Sequence, residues 1–112
     1  MNVSRRRALA ALLLLPIAGA PALAQDKPRV VLVVGDSVSA GYGLGNGEGW
    51  VALLADKLKQ AQSPYTVVNA SISGDTTSGG RARLPALLAQ HKPAVVIIEL
   101  GGNDALRGGR LQ

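Results

Sequence analysis

Cysteine is absent from the 112 residues, which excludes disulfides, thiolate metal sites and a lipid-modified cysteine anchor. A long unbroken apolar run is absent too. Pro16, Gly19 and Pro21 interrupt the hydrophobic stretch near the start, leaving too little to span a bilayer. Basic residues form no stripe and are not interleaved with aromatics, so the formal net charge of +5 gives no support to nucleic-acid binding. No Gly-Lys-Ser/Thr occurs. The glycines of Gly41-Tyr42-Gly43-Leu44-Gly45-Asn46-Gly47 recur at every second position, out of register with the dinucleotide fingerprint. That segment is expected to be a mobile loop beside a site rather than a phosphate cradle. There is no internal repeat and no low-complexity tract.

What is present begins with an export signature. Arg5, Arg6 and Arg7 form a cationic region, Ala8 to Leu15 an apolar one, and Ala22-Leu23-Ala24 a small-residue cleavage site before Gln25. Residues 1–24 are therefore expected to be a signal peptide, with 25–29 a short leader and 30–112 the folded portion. Ser4-Arg5-Arg6 hints at twin-arginine export, but Ala8 stands where phenylalanine is usual, so the route stays open. Without the signal, nine basic residues face seven acidic ones, a formal +2. Export without disulfides points to a bacterial periplasmic or secreted protein with no stable membrane anchor.

Three apolar, β-branched runs predict strands: Val30 to Val34, Tyr65 to Val68 and Ala94 to Ile98. The first and third lack polar alternation, as in strands buried on both faces of a parallel sheet. Between them, Trp50 to Ala61 and Thr77 to Gln90 carry helical spacing. Trp50 is expected to pack within the first of these helices. Thr76, Thr77 and Ser78 are candidate N-caps for the second, and Pro85 predicts a start near Arg83 or a kink. The order β-α-β-α-β implies a doubly wound parallel α/β fold. A third strand as apolar as Val95 to Ile98, with nothing after it to cover it, is expected to leave an edge or a face exposed.

In such a sheet, ligands gather at the carboxyl ends of the strands. The unusual residues lie there: Gly35-Asp36-Ser37-Val38-Ser39 after the first strand, Asn69 to Thr77 after the second, and Gly101-Gly102-Asn103-Asp104 after the third. Acyl transfer needs a hydroxyl at a sharp strand-to-loop turn and donors aimed at a developing oxyanion. Ser37 supplies the hydroxyl. The backbone N–H groups of Ser37 and Gly74 and the amide of Asn103 are the candidate donors.

Gly35-Asp36-Ser37-Val38, Gly74 and Gly101-Gly102-Asn103-Asp104 closely resemble blocks I, II and III of the SGNH (GDSL-type) hydrolases. The resemblance covers residues 30–108. It is strongest to the periplasmic arylesterase and acyl-CoA thioesterase/lysophospholipase branch, with Val38 replacing the usual leucine. It implies a flavodoxin-like three-layer α/β/α fold, truncated here after the third strand. It also implies Ser37 as nucleophile, Gly74 and Asn103 as oxyanion-hole residues, and no metal or organic cofactor. The expected substrate is a small ester, thioester or lysophospholipid. The family's fourth block, Asp-x-x-His, is absent from the 112 residues. Without that base a serine is a weak nucleophile, so this chain is expected to be inactive alone.

Two alternatives stand beside this reading. One is a non-catalytic truncated remnant. The other is a Mg²⁺-dependent phosphoryl-transfer domain using Asp36, Asp75 and Asp104, each of which follows a strand end. His91, the single histidine, closes the second helical pattern at the wrong end of the sheet and reads as a residue complementing the helix dipole.

Overall fold

The computed structural model describes residues 28–109. The expected signal peptide, residues 25–27 of the leader and residues 110–112 lie outside the described residues.

Among the described residues three parallel strands form one sheet in the order β2-β1-β3. They are β1 (Arg29–Gly35), β2 (Tyr65–Asn69) and β3 (Val95–Glu99). The central strand is paired on both sides, Val31 to Val67 and to Val95, and at its end Gly35 to Glu99. Its unalternated Val31-Leu32-Val33-Val34 run is buried on both faces, with Leu32 and Val33 at 0% exposure. Burial of each such side chain contributes roughly 1.5–3 kcal/mol.

The third strand departs from expectation. Val95 is 42% and Ile98 60% exposed, so its apolar run is not buried on both faces. The reason is position: among the described residues β3 is an edge strand, paired only with β1. The expectation of an uncovered flank is met. An apolar groove of about 210 Å³ opens there, lined by Val34, Gly80, Leu84, Ile98 and Leu100 among others.

Among the described residues four helices connect and follow the strands: α1 (Ser37–Ala40), α2 (Trp50–Gln60), α3 (Thr77–His91) and α4 (Gly102–Leu106). In α2, Val51 faces the core, while Lys57 and Lys59 lie in the last turn, where cations complement the dipole. The third helix starts where the Thr76 N-cap candidate puts it and corrects only the reading drawn from Pro85. It begins at Thr77, not near Arg83, and is continuous through Pro85 to His91. Thr76 Oγ1 accepts from Gly79 N–H at 3.2 Å and nucleates the first turn. Proline's fixed φ suits a helix, so Pro85 costs one backbone hydrogen bond without ending the segment. The helix closes at Lys92 in the left-handed region, whose N–H donates to Leu88 O at 2.9 Å, with Pro93 following.

Candidate active site at the carboxyl ends of the strands

At the end of β1 the chain turns sharply into α1, a single helical turn that starts on Ser37. Asp36, 4% exposed, is its N-cap, with Oδ1 accepting from Val38 N–H at 3.0 Å. Ala40 N–H donates to Asp36 O at 2.8 Å and Tyr42 N–H to Ser37 O at 3.1 Å. Ser37 therefore occupies the first helical position, where helix geometry gives its own N–H no intrahelical acceptor.

The segment after β2 continues beside β1, with Ile72 N–H donating to Gly35 O at 3.0 Å. It then turns at Gly74, where φ is +83°. Asp75 N–H closes that turn on Ile72 O at 3.1 Å. The Asp75 carboxylate accepts from Thr76 N–H at 2.9 Å and pairs with Arg83 Nε at 2.8 Å. Arg83 also reaches the backbone oxygens of Ala70 and Gly35.

The helix after β3 grips this turn. Asn103 Nδ2 donates to Asp75 O at 2.9 Å, and Arg107 Nη2 donates to Gly74 O at 3.0 Å. The two side chains lie four residues apart and so share one helical face. The carboxylate of Asp104 accepts from Thr77 N–H at 2.9 Å and from Thr77 Oγ1 at 2.7 Å, fixing the start of α3. These two bonds, the backbone one first, hold the Asp104 carboxyl below its ordinary value of 3.8, with the Arg107 charge assisting. Gly102 lies beside the first loop, since a Cβ there would come within 3.8 Å of Asp36 Oδ2.

The three loops are thus gathered at one end of the sheet, with the Gly74–Asp75 segment bonded to Asn103 and Gly102 next to Asp36. His91 is not part of this cluster. It ends α3, whose first residue Thr77 contacts Asp104, and fourteen helical rises separate the two by about 21 Å. The Mg²⁺ alternative finds no support: among the described residues no group of three or more His, Cys, Asp or Glu side chains could hold a metal ion. Asp36, Asp75 and Asp104 are each engaged with neighbouring N–H or hydroxyl groups instead.

The sequence reading gave no role to Ser39, Glu99, Asn69 and Arg83, four residues that tie the loops together. Ser39, 2% exposed, donates through Oγ to Glu99 Oε1 at 2.7 Å. Its Oγ also accepts from Trp50 Nε1 at 3.1 Å, and its carbonyl accepts from Asn69 Nδ2 at 2.8 Å. Trp50 is more than helix packing, because its indole N–H donates to Ser39 of α1. A carboxylate ending an apolar strand was the one signal in the sequence that pointed to Glu99. The Gly41–Gly47 loop follows α1 and lines a polar pocket of about 140 Å³ together with Ser39 and Asn69.

A family model described as the GDSL-like lipase/acylhydrolase family matches residues 33–112. The chain is 63% identical over 84 residues to the esterase TesA of Pseudomonas aeruginosa, covering 75% of this chain and 42% of that protein. It is 60% identical over 78 residues to the thioesterase 1/protease 1/lysophospholipase L1 of Escherichia coli, covering 70% and 36%. Among solved structures, the crystal structure of TesA superposes with a TM-score of 0.71 over 73% of this chain and 46% of that one. The SGNH-hydrolase family esterase AlinE4, 42% identical, gives 0.68 over 77% and 47%. The chain spans less than half the length of each of these relatives.

Proposed function

The chain belongs to the GDSL-like lipase/acylhydrolase family, and from that premise we propose that it carries the nucleophile side of a serine esterase or thioesterase site. Ser37 Oγ attacks the acyl carbon, its proton passing to the base that the family's Asp-x-x-His block supplies. The C–O or C–S bond then breaks to release the alcohol or thiol and leave an acyl-enzyme. The N–H groups of Ser37 and Gly74 and the second amide hydrogen of Asn103, the first being given to Asp75 O, receive the oxyanion. Small carboxylic esters, thioesters and lysophospholipids are the substrate classes. The observation that carries this reading is the grip of Asn103 on the Gly74–Asp75 turn beside the Asp36-Ser37 turn. The reading places the protein outside the cytoplasm of a bacterium, delivered by residues 1–24. Among the described residues no helix is long and apolar enough to cross a membrane.

By itself the 112-residue chain has negligible turnover, because its single histidine is at the far end of α3. Hydrolysis of p-nitrophenyl acetate tests this. Robust turnover that Ser37→Ala abolishes would overturn it. Joining residues 25–112 to a family segment that bears the Asp-x-x-His block tests the site. The chimera is expected to hydrolyse the ester and to lose that activity in Ser37→Ala. Equal activity in both would remove Ser37 from the nucleophile's role.

A further inference from the structure

The helix that bears Ser37 is one turn long, Ser37–Ala40. A single turn has paid the nucleation cost with almost no propagation to offset it, so it does not hold its own geometry. Something outside the helix must fix it.

The pairing of β1 with β3 shows what does. Gly35 is opposite Glu99, and Gly35 has no side chain. A Cβ at Gly35 would come within 2.6 Å of Ser39 Oγ and 3.0 Å of Glu99 Oε1. The space a side chain would fill is where the Glu99 carboxylate meets the nucleophile turn. Its Oε1 accepts from Ser39 Oγ at 2.7 Å and from Asp36 N–H at 3.4 Å, one residue before Ser37 and two after it. Ser39 is in turn held by the Trp50 indole N–H and the Asn69 amide.

We infer that Glu99 is a positioning residue for the nucleophile turn, clamping the backbone on both sides of Ser37 through Asp36 and Ser39. It touches no reacting atom. The functional meaning rests on Ser37 being the nucleophile, whereas the clamp itself is a property of the fold. The two are tested separately, Ser37 by the chimera's ester hydrolysis and the clamp by hydrogen exchange on the 112-residue chain.

Amide exchange is followed by NMR at Val38, Ala40 and Tyr42, with Gly80 and Lys92 of the α3 region as references. Glu99→Ala is expected to speed exchange at the first three by about tenfold or more, with the references changed by less than about threefold, because the opening is local. Glu99→Gln keeps an acceptor oxygen for Ser39 and is expected to restore protection. Trp50, the only tryptophan, reports the same network by its emission, which is expected to shift in Glu99→Ala and not in Glu99→Gln. Uniform acceleration across all five amides, no acceleration, or failure of the glutamine to rescue would each overturn the inference. If Glu99→Ala does not fold, Ser39→Ala replaces it with the same local pattern expected. An unchanged pattern in Ser39→Ala would then overturn the clamp.

Discussion

Asp104, in the first turn of α4, caps the first turn of α3 by accepting both the N–H and the hydroxyl of Thr77, at 2.9 and 2.7 Å. The bond links residues 27 apart in sequence and fixes the two helix starts that flank the Gly74 turn. Its charge is favoured in the fold, since the carboxyl titrates below its ordinary 3.8. A carboxylate depressed in this way adds stability above its unfolded value, and the addition is lost as pH falls through the folded value. Asp104→Asn keeps an acceptor oxygen for the Thr77 N–H and removes the charge, while its amide N–H can donate to Thr77 Oγ1 where the second carboxylate oxygen had accepted. Its melting temperature is expected to lie below that of the parent chain at about pH 7, with the gap closing near about pH 2. Thermal unfolding at the two pH values checks this; a gap that persists in acid would assign the effect to geometry rather than charge.

Arg83 joins the Asp75 carboxylate to the carbonyls of Ala70 and Gly35, across the loops after β2 and β1. Both partners of the ion pair are largely shielded, at 21% and 12% side-chain exposure. Arg83→Ala leaves Asp75 and the carbonyls without this donor and is expected to cost about 2–3 kcal/mol in urea unfolding. Arg83→Lys offers a point charge to Asp75 but no planar fork for the carbonyls, so it should recover only part of the loss. Full recovery by lysine would mean that charge alone matters.

The contrast between what the residue pattern disclosed and what it hid has a physical origin. Strands were legible because β-branched runs such as Val30 to Val34 carry their own signal, and the loops bearing Ser37, Gly74 and Asn103 were legible as a candidate site because ligands gather where such runs end. The Glu99–Ser39 contact spans 60 residues and exists only because the register sets Glu99 opposite a glycine. Local pattern contains no register. The burial expected of Val95 to Ile98 failed for a related reason: composition reports what a strand can bury, not which neighbours are there to cover it.

Pro85 gives a direct measure of what the helix tolerates. It sits inside α3 and removes the hydrogen bond that its N–H would give to Arg81 O. Both residues are exposed, so water can serve the Arg81 carbonyl. An interior proline costs about 3 kcal/mol relative to alanine, partly offset by its restriction of the unfolded chain. Pro85→Ala is therefore expected to raise stability by about 1–2 kcal/mol in equilibrium unfolding. A loss would show that packing of the pyrrolidine ring outweighs the missing bond.

Gly74 is where backbone conformation and proposed chemistry meet. Its φ of +83° lies in the region that a side chain disfavours, and its carbonyl is held by Arg107. A Cβ there meets only Arg107 Nη2, at 4.0 Å, so substitution brings strain and not a clash. Gly74→Ala is expected to cost about 1–2 kcal/mol, and Gly74→Asn less, because asparagine visits the left-handed region more readily. If the Gly74 N–H receives the oxyanion, the chimera's kcat should follow the same order with KM little changed. Alanine should lower it by up to about 100-fold, since a displaced donor loses at most what a deleted one does. Asparagine, which keeps the turn and therefore the direction of the N–H, should retain most of the rate. Parallel loss in both variants, or a rise in KM without a fall in kcat, would separate the turn from the oxyanion and leave Gly74 a purely structural residue.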